Sequence, residues 1–163
     1  MKIKKKTLVA ILIIGASLSL AAETNGVHST TGEYKYQVDK KYKVVSVIDG
    51  DTIKVRLNNS IDKVRFSHIN CPEKGEPYYK EAKEFVKSYI QGKTVFIKTN
   101  GRDKYSRLLG EVFYKGENIN LLLVSNGLAK HYKRFSSDKR YSRVEKRSKE
   151  KGVGMWNKKN AFR

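Results

Sequence analysis

The strongest constraint on this chain is a tight turn, Asp49-Gly50-Asp51, between two short runs rich in β-branched residues. The flanking runs predict two strands of a hairpin, because β-branched side chains suit a pleated sheet. Gly50 is expected to supply a left-handed backbone conformation at the turn. Two neighbouring carboxylates are costly to bury as charges, so they predict contact with water, a cation or a backbone donor. The turn alone does not define a site, since Asp-Gly is common in hairpins.

The segments that follow the turn have an order that suits a small barrel. Apolar and polar residues alternate over 52–57, which predicts one buried and one wet face. Apolar side chains recur with helical spacing over 78–91. The other predicted strands cover 64–68, 94–98 and 108–114, and the other predicted helices cover 119–126 and 137–151. This order predicts a closed antiparallel barrel of five strands with three helices, an α+β fold that is mainly β.

Basic residues dominate the composition and indicate a polyanionic partner. The 163-residue chain has 35 Lys and Arg against 16 Asp and Glu, a formal net charge of +19. An excess of this size favours nucleic acid first and an anionic membrane second. Cys71 is the single cysteine, so no intrachain disulfide can form, and no Cys/His spacing suggests zinc. The length allows one domain of ordinary size.

Residues 1–21 have the order of a secretory signal peptide. Lysines precede an apolar run over 7–20, and the expected cleavage follows Ala21. The alternative is an uncleaved membrane anchor, although the run is short for a span of about 20 apolar residues. We therefore expect secretion, or a place on the outer face of the cell envelope, without stable membrane association after cleavage. Residues 22–40 are polar and predict a flexible linker, which leaves 41–163 as the folded domain.

Two further motifs strengthen the evidence for a site at the turn. The run from Arg65 to Glu73 (RFSHINCPE) ends the third strand, and 103–107 (DKYSR) follows the fourth. Together with the turn, and in this order, they resemble the staphylococcal nuclease (thermonuclease) family, over about Tyr42 to Trp156. The resemblance implies an oligonucleotide-binding (OB) fold, which has the predicted element order and binds polyanions across one face.

The resemblance also implies a calcium site. It assigns Ca²⁺ to Asp51, with Asn70 and the backbone carbonyl of Cys71 as further ligands. Hard oxygen ligands in flexible geometry favour calcium over zinc. The alternative for Asp51 is a turn residue bonded to its own backbone, and Asp49 is expected to shape the turn. The family usually has aspartate where this chain has Asn70, so one negative charge is missing.

Three residues match the catalytic set of the family. Glu73 matches the general base that activates or positions the attacking water. Arg65 and Arg107 match the arginines that hold the scissile phosphate. A guanidinium group suits this role because it is always charged and can donate two hydrogen bonds to phosphate oxygens. For each of them the alternative is a solvated surface residue. We expect all three at loops or at the rim of the site, so that their loss would affect turnover and leave stability unchanged.

Four further residues are predicted to bind substrate. Lys104 and Tyr105 match family residues that contact a terminal phosphate. Tyr132 and Phe135 alternate with basic residues, as in proteins that bind single strands by stacking bases. Core packing is an equal alternative for Phe135. His68 is expected in the core, on one strand face with other apolar residues.

These residues together predict a secreted, calcium-dependent nuclease that acts as a monomer on DNA and RNA. The resemblance implies cleavage of the 5′ phosphorus–oxygen bond, which leaves 3′-phosphate ends. One alternative is a nucleic-acid-binding barrel without catalysis, which has kept the groove and lost the metal site. Another is a basic protein that binds the cell envelope through an uncleaved anchor.

Overall fold

The first two strands bury one face and expose the other, as their alternating sequence predicts. In β2 (Thr52–Leu57), Ile53 and Val55 are fully buried while Lys54 and Arg56 are exposed. It pairs antiparallel with β1 (Lys41–Val47). These strands belong to a computed structural model that describes residues 40–157. The predicted signal peptide (1–21) and nearly all of the predicted linker (22–40) lie outside the described residues.

The remaining elements confirm the α+β class and the predicted number of helices. In chain order they are β3 (Ser60–Phe66), β4 (Ile69–Asn70), α1 (Tyr79–Ile90), β5 (Thr94–Arg102), β6 (Leu108–Tyr114), β7 (Glu117–Asn118), α2 (Ile119–Ser125), β8 (Lys130–His131), α3 (Lys139–Lys151) and a 3-10 turn (Gly154–Trp156). The three helices begin and end within two residues of their predicted bounds. The short strands β4, β7 and β8 were not predicted, because two residues carry no periodicity. In the described part, no helix is long and apolar enough to cross a membrane.

The five long strands close into a barrel, with one seam that differs from the prediction. Their order is β3-β2-β1-β5-β6, and β3 pairs again with β6. That last pairing is parallel, with Val64 opposite Leu108 and Phe66 opposite Gly110. An all-antiparallel barrel is therefore wrong for this chain. Strands that alternate in direction cannot close on themselves when their number is odd, so one of the five seams must be parallel.

Gly50 is needed for close packing, and not for the left-handed backbone that the sequence predicted. Its φ lies outside the positive range, whereas seven other glycines have positive φ. A Cβ atom at Gly50 would lie 2.8 Å from Cβ of Ala82 and 2.9 Å from Sγ of Cys71. The missing side chain thus lets α1 press against the turn. The turn that carries Asp51 is held between the barrel and this helix.

Helix α3 is tied to the barrel through one buried carboxylate on β6. Glu111 accepts hydrogen bonds from Tyr141 Oη at 2.6 Å, Asn118 Nδ2 at 2.8 Å and Arg140 Nη2 at 3.1 Å. Burial disfavours its charge, but these donors and the nearby guanidinium hold the pKa of Glu111 below its ordinary value. The segment that precedes α3 is therefore fixed relative to the barrel.

We predict that Glu111→Gln lowers the free energy of unfolding at pH 7 by about 1.5–3 kcal/mol, the usual range for hydrogen bonds to a charged group. The pKa of Glu111 is lower in the folded protein than its unfolded value of 4.5. The charged carboxylate therefore stabilises the fold at pH values above 4.5. This stabilisation is lost as the pH falls through the folded pKa. Urea unfolding at several pH values measures the difference. Glu117→Gln, at an exposed carboxylate, is the control, and an equal effect in both variants would contradict the prediction.

Candidate active site

A groove of about 790 Å³ gathers side chains from five separate segments of the chain. They come from the first turn, the end of β3 with the loop after it, the end of β5, the loop between β5 and β6, and the loop before α3. The predicted site residues that line it are Asp51, Arg65, Asn70, Glu73, Lys104, Tyr105, Arg107, Tyr132 and Phe135. Cys71 lies beneath this surface and is buried. The structure brings these residues together, while their individual roles stay predictions.

Asp51 is a buried carboxylate with several partners. Its Oδ2 accepts a hydrogen bond from the backbone N–H of Cys71 at 2.8 Å and lies 3.1 Å from Arg65 Nη2. Burial raises the pKa of Asp51 to about 6, against the lowering effect of the Arg65 charge. The Asp51 backbone N–H donates to Asp49 Oδ1 at 3.0 Å. Asp49 therefore shapes the turn, and the Asp51 side chain is left to face the site.

Arg65 fills the space between the first turn and the loop after β3. Its Nη1 donates to the carbonyls of Phe66 at 2.7 Å and Ile69 at 3.0 Å, and its Nη2 donates to Asn70 Oδ1 at 2.9 Å. Only 12% of the side chain is exposed. The expectation that Arg65 sits at the rim is therefore wrong. The guanidinium thus joins the end of β3 to β4 by donating to carbonyls of both strands.

The oxygen atoms near Asp51 are ligands of the kind that a hard cation prefers, and together they carry little negative charge. Asp51 provides a carboxylate, and Asn70 in β4 provides an amide oxygen, which here accepts from Arg65 Nη2. In residues 40–157, no three His, Cys, Asp or Glu side chains form a group that could hold a metal ion. A cation site here would thus depend on Asp51, on the amide oxygen and on backbone carbonyls. Burial raises the pKa of the Cys71 thiol, which keeps it neutral and unreactive.

Glu73 is exposed on the loop between β4 and α1 and lines the groove. Its backbone N–H donates to Glu76 Oε2 at 2.7 Å, which steadies the loop. No other residue of the described range holds its carboxylate by a hydrogen bond or an ion pair. The Glu73 carboxylate is therefore available to water and substrate.

Arg107 is oriented by Asp103, a residue that the sequence analysis did not single out. Asp103 Oδ2 accepts from Arg107 Nε at 2.7 Å, and Oδ1 accepts from the backbone N–H groups of Tyr105 and Arg107 at 2.9 and 3.0 Å. Within residues 40–157 no hydrogen bond engages the two terminal nitrogens of the guanidinium, which can therefore bind a ligand. An aspartate that precedes a tight loop commonly bonds the backbone two residues on, so the signal was present in the DKYSR motif.

Aromatic side chains form the exposed part of the groove. Tyr105 is 67% exposed, Tyr132 36% and Phe135 69%. Tyr132 and Phe135 contact each other edge to face, with 4.9 Å between ring centroids. Core packing of Phe135, the alternative that the sequence left open, is therefore wrong. Arg134 also lines the groove and was not predicted as a site residue.

His68 lies outside the strand in which it was expected. It follows the end of β3 with φ of 70° and is half-buried in the wall of the groove. Its Nδ1 and Ser136 Oγ are hydrogen-bonded at 2.9 Å, and its ring lies 4.9 Å from that of Tyr141. The chain turns at His68 because β3 has already ended at Phe66, so the alternation on which the core prediction rested does not apply.

The family model described as staphylococcal nuclease homologue matches residues 63–158. The chain belongs to the staphylococcal nuclease family. A protein named "Uncharacterized endonuclease" from Haemophilus influenzae is 36% identical over 116 residues, which cover 70% of this chain and 65% of that protein. A namesake from Escherichia coli O157:H7 is 33% identical over 115 residues, 70% of this chain and 75% of that protein.

A third relative carries a more specific name. The protein named "Micrococcal nuclease" from Shigella flexneri is 30% identical over 134 residues, which cover 76% of this chain and 77% of that protein. Membership of the family supports nuclease activity in general and nucleic acids as substrates. The chain spans slightly less than two thirds of the Haemophilus influenzae relative.

We predict that Arg65→Ala destabilises the protein, because it leaves the buried charge of Asp51 without a partner. The free energy of unfolding should fall by about 3–5 kcal/mol, as measured by urea unfolding. Adding Asp51→Asn should recover part of the loss, since no buried charge then remains.

The matched control is Arg102→Ala, which removes a bidentate ion pair with Asp62. Both of these side chains are over a third exposed, so little change in stability is expected. A loss in Arg65→Ala no greater than in Arg102→Ala would contradict the importance of the buried pair.

Proposed function

We propose that the protein is a secreted, calcium-dependent nuclease that hydrolyses phosphodiester bonds of DNA and RNA. The observation that supports this most is the single groove shared by a buried aspartate, two arginines, an available carboxylate and three exposed aromatic rings. In this proposal the enzyme works as a monomer, outside the cell or on the outer face of its envelope. It has no stable association with a membrane once the leader has been removed.

The aromatic rings of the groove hold the substrate. Tyr132 and Phe135 stack on bases of a single strand, an interaction that tolerates any sequence because every base has a π face. Lys104 and Tyr105, which also line the groove, contact a terminal phosphate. Little sequence preference follows, since no part of this set reads the edge of a base.

The two arginines and Glu73 carry out the hydrolysis. Arg65 and Arg107 donate to the non-bridging oxygens of the scissile phosphate and stabilise the charge that builds there. Glu73 orients a water molecule and accepts its proton as the oxygen attacks phosphorus. The bond from phosphorus to the 5′ oxygen breaks, and that oxygen leaves with the electron pair and takes a proton from water. The products are a 3′-phosphate and a 5′-hydroxyl.

Calcium would be held by Asp51, by the amide oxygen of Asn70 and by the backbone carbonyl of Cys71. Bound calcium would supply positive charge beside the phosphate. The raised pKa of Asp51 supports this proposal, because a buried carboxylate with only one cationic partner gains from a second. The neutral Asn70 makes the site weaker than one with two aspartates, since ligand charge sets calcium affinity.

A nucleic-acid-binding barrel without catalysis is the second candidate. It is favoured by the contact between Arg65 and Asn70, which uses a donor of the phosphate-binding guanidinium in the absence of substrate. Incubation of the purified protein with plasmid, with calcium or with a chelator, separates the two candidates. Nicking with calcium supports the nuclease, and binding without nicking at any calcium concentration supports the second candidate.

We predict that wild-type protein needs calcium on the order of 10⁻⁴–10⁻³ M for plasmid nicking. Asn70→Asp should lower this requirement, because it restores a second charge without a change of shape. Asp51→Asn should abolish nicking. A calcium titration on the three proteins measures both effects. Activity of the wild type that survives chelator would overturn the calcium site, and silence of the wild type with cutting by Asn70→Asp would favour the binding module.

We predict that Asp103→Asn lowers kcat/KM by roughly ten- to a hundredfold, because Arg107 loses the carboxylate that holds its Nε. The melting temperature should hardly change, since Asp103 lies in a surface loop. Asp62→Asn is the control, because it weakens a comparable pair with Arg102 outside the groove. Equal kcat/KM values for the two variants would show that Asp103 does not position Arg107.

A further inference from the structure

One side of α3 presents a row of cations to solvent. The helix packs on the protein through Tyr141, Glu145 and Ser148, which are buried. On the opposite side the exposed side chains recur every three or four residues, the spacing of one helix face. The basic stripe consists of Lys139, Arg143, Lys146 and Arg147.

The cations of the basic stripe have few acidic partners. Within residues 40–157, Lys139, Arg143 and Arg147 have no carboxylate within ion-pair distance, and Lys146 has only Glu150 at 3.9 Å. The neighbouring Arg140 differs, since it is held by Asp138 and Glu111 on the barrel side. The charge of the stripe is thus not used to hold α3 in place.

The start of the stripe does not suit the helix dipole. Lys139 lies in the first turn of α3, which contains no acidic residue after the N-cap Asp138. A cation near a helix N-terminus opposes the helix dipole, by roughly 0.3–1 kcal/mol when exposed. Three cations without ion pairs on one helix face, one of them against the dipole, indicate a partner outside the molecule.

The stripe continues the groove along the chain. Arg134 and Phe135 line the groove, and α3 begins four residues after Phe135. The connection is firm, because Ser136 is bonded to His68 and His131, and Asp138 caps the helix by accepting from the backbone N–H of Arg140. A strand that leaves the groove past Phe135 therefore meets the start of α3.

We propose that the basic stripe of α3 is a second binding site for the phosphate backbone of nucleic acid, which holds the part of the substrate that extends beyond the groove. This proposal rests on the proposed function, because it assumes that the groove holds nucleic acid. The stripe from Lys139 to Arg147 extends about 12 Å along α3, which matches about three to four phosphates at the 3.4 Å rise of one DNA strand. Substrates longer than the groove should thus bind more tightly than short ones.

The test compares two triple variants of the full chain. Arg143→Gln/Lys146→Gln/Arg147→Gln removes three charges from the stripe. Lys80→Gln/Lys87→Gln/Lys93→Gln is the matched control, since it removes three exposed charges from α1 and the residues after it, away from the groove lining. Fluorescence anisotropy in EDTA, which prevents cleavage, measures the affinity for oligothymidylates of 4 and 24 nucleotides over a range of salt concentrations.

We expect the stripe variant to bind the 24-mer at least tenfold more weakly at low salt. Its log–log salt slope should fall by about 2, since each single-strand phosphate contact contributes about 0.7. Binding of the 4-mer should be unchanged, and the control variant should resemble wild type for both lengths. Thermal unfolding checks that both variants are folded.

Three outcomes would overturn the proposal. An unchanged affinity of the stripe variant for the 24-mer would show that the stripe is not a binding site. An equal loss of affinity for both lengths, or an equal loss in the control variant, would show only a general effect of net charge. A loss of binding to phosphatidylglycerol vesicles, with 24-mer binding intact, assigns the stripe to a membrane surface. Failure of wild type to bind the 4-mer would count against the groove, whereas the 24-mer comparison still tests the stripe.

Discussion

The buried pair of Asp51 and Arg65 is the interaction on which the rest of the site depends. It joins the first turn to the end of β3, and the same guanidinium binds Asn70 in β4. Both side chains are almost removed from water, so each charge needs the other. The pair therefore joins two separate segments of the chain, the first turn and residues 65–70, at one end of the barrel. This arrangement determines the shape of the groove.

Close packing of α1 on the first turn is a second constraint on the site. The approach of α1 to the turn leaves no room for a side chain at Gly50, so the helix pins the backbone that carries Asp51. On the other side, Glu111 fixes α3 and thereby the aromatic segment before it. The first turn and the segment before α3 are thus positioned by packing and by a buried hydrogen-bond network. A site built on such supports needs little rearrangement to meet a substrate.

Local sequence patterns predicted the strands and helices well, because periodicity reports directly which side chains are buried. They could not show the parallel seam of β3 and β6, which follows from closure of an odd number of strands. They also missed why Gly50 is glycine and why Arg65 is buried, since both depend on segments brought together only by the fold. The residues of the three motifs do lie together in one groove, while their roles stay predictions. Asp103 was overlooked because its importance lies in what it does to Arg107.

In the proposed reaction, Arg65 has two uses that compete. In the structure described it neutralises Asp51, and in the reaction it must donate to a phosphate. A guanidinium drawn towards a phosphate leaves a buried carboxylate with less compensation, and the cost of an unpaired buried charge is several kcal/mol. A cation beside Asp51 would remove that cost. The need for calcium would then follow from the electrostatics of the fold as much as from the chemistry at phosphorus. Because Asn70 is neutral, less negative charge is available to attract that cation. The side chain at position 70 would therefore decide how easily Arg65 leaves Asp51 for a phosphate.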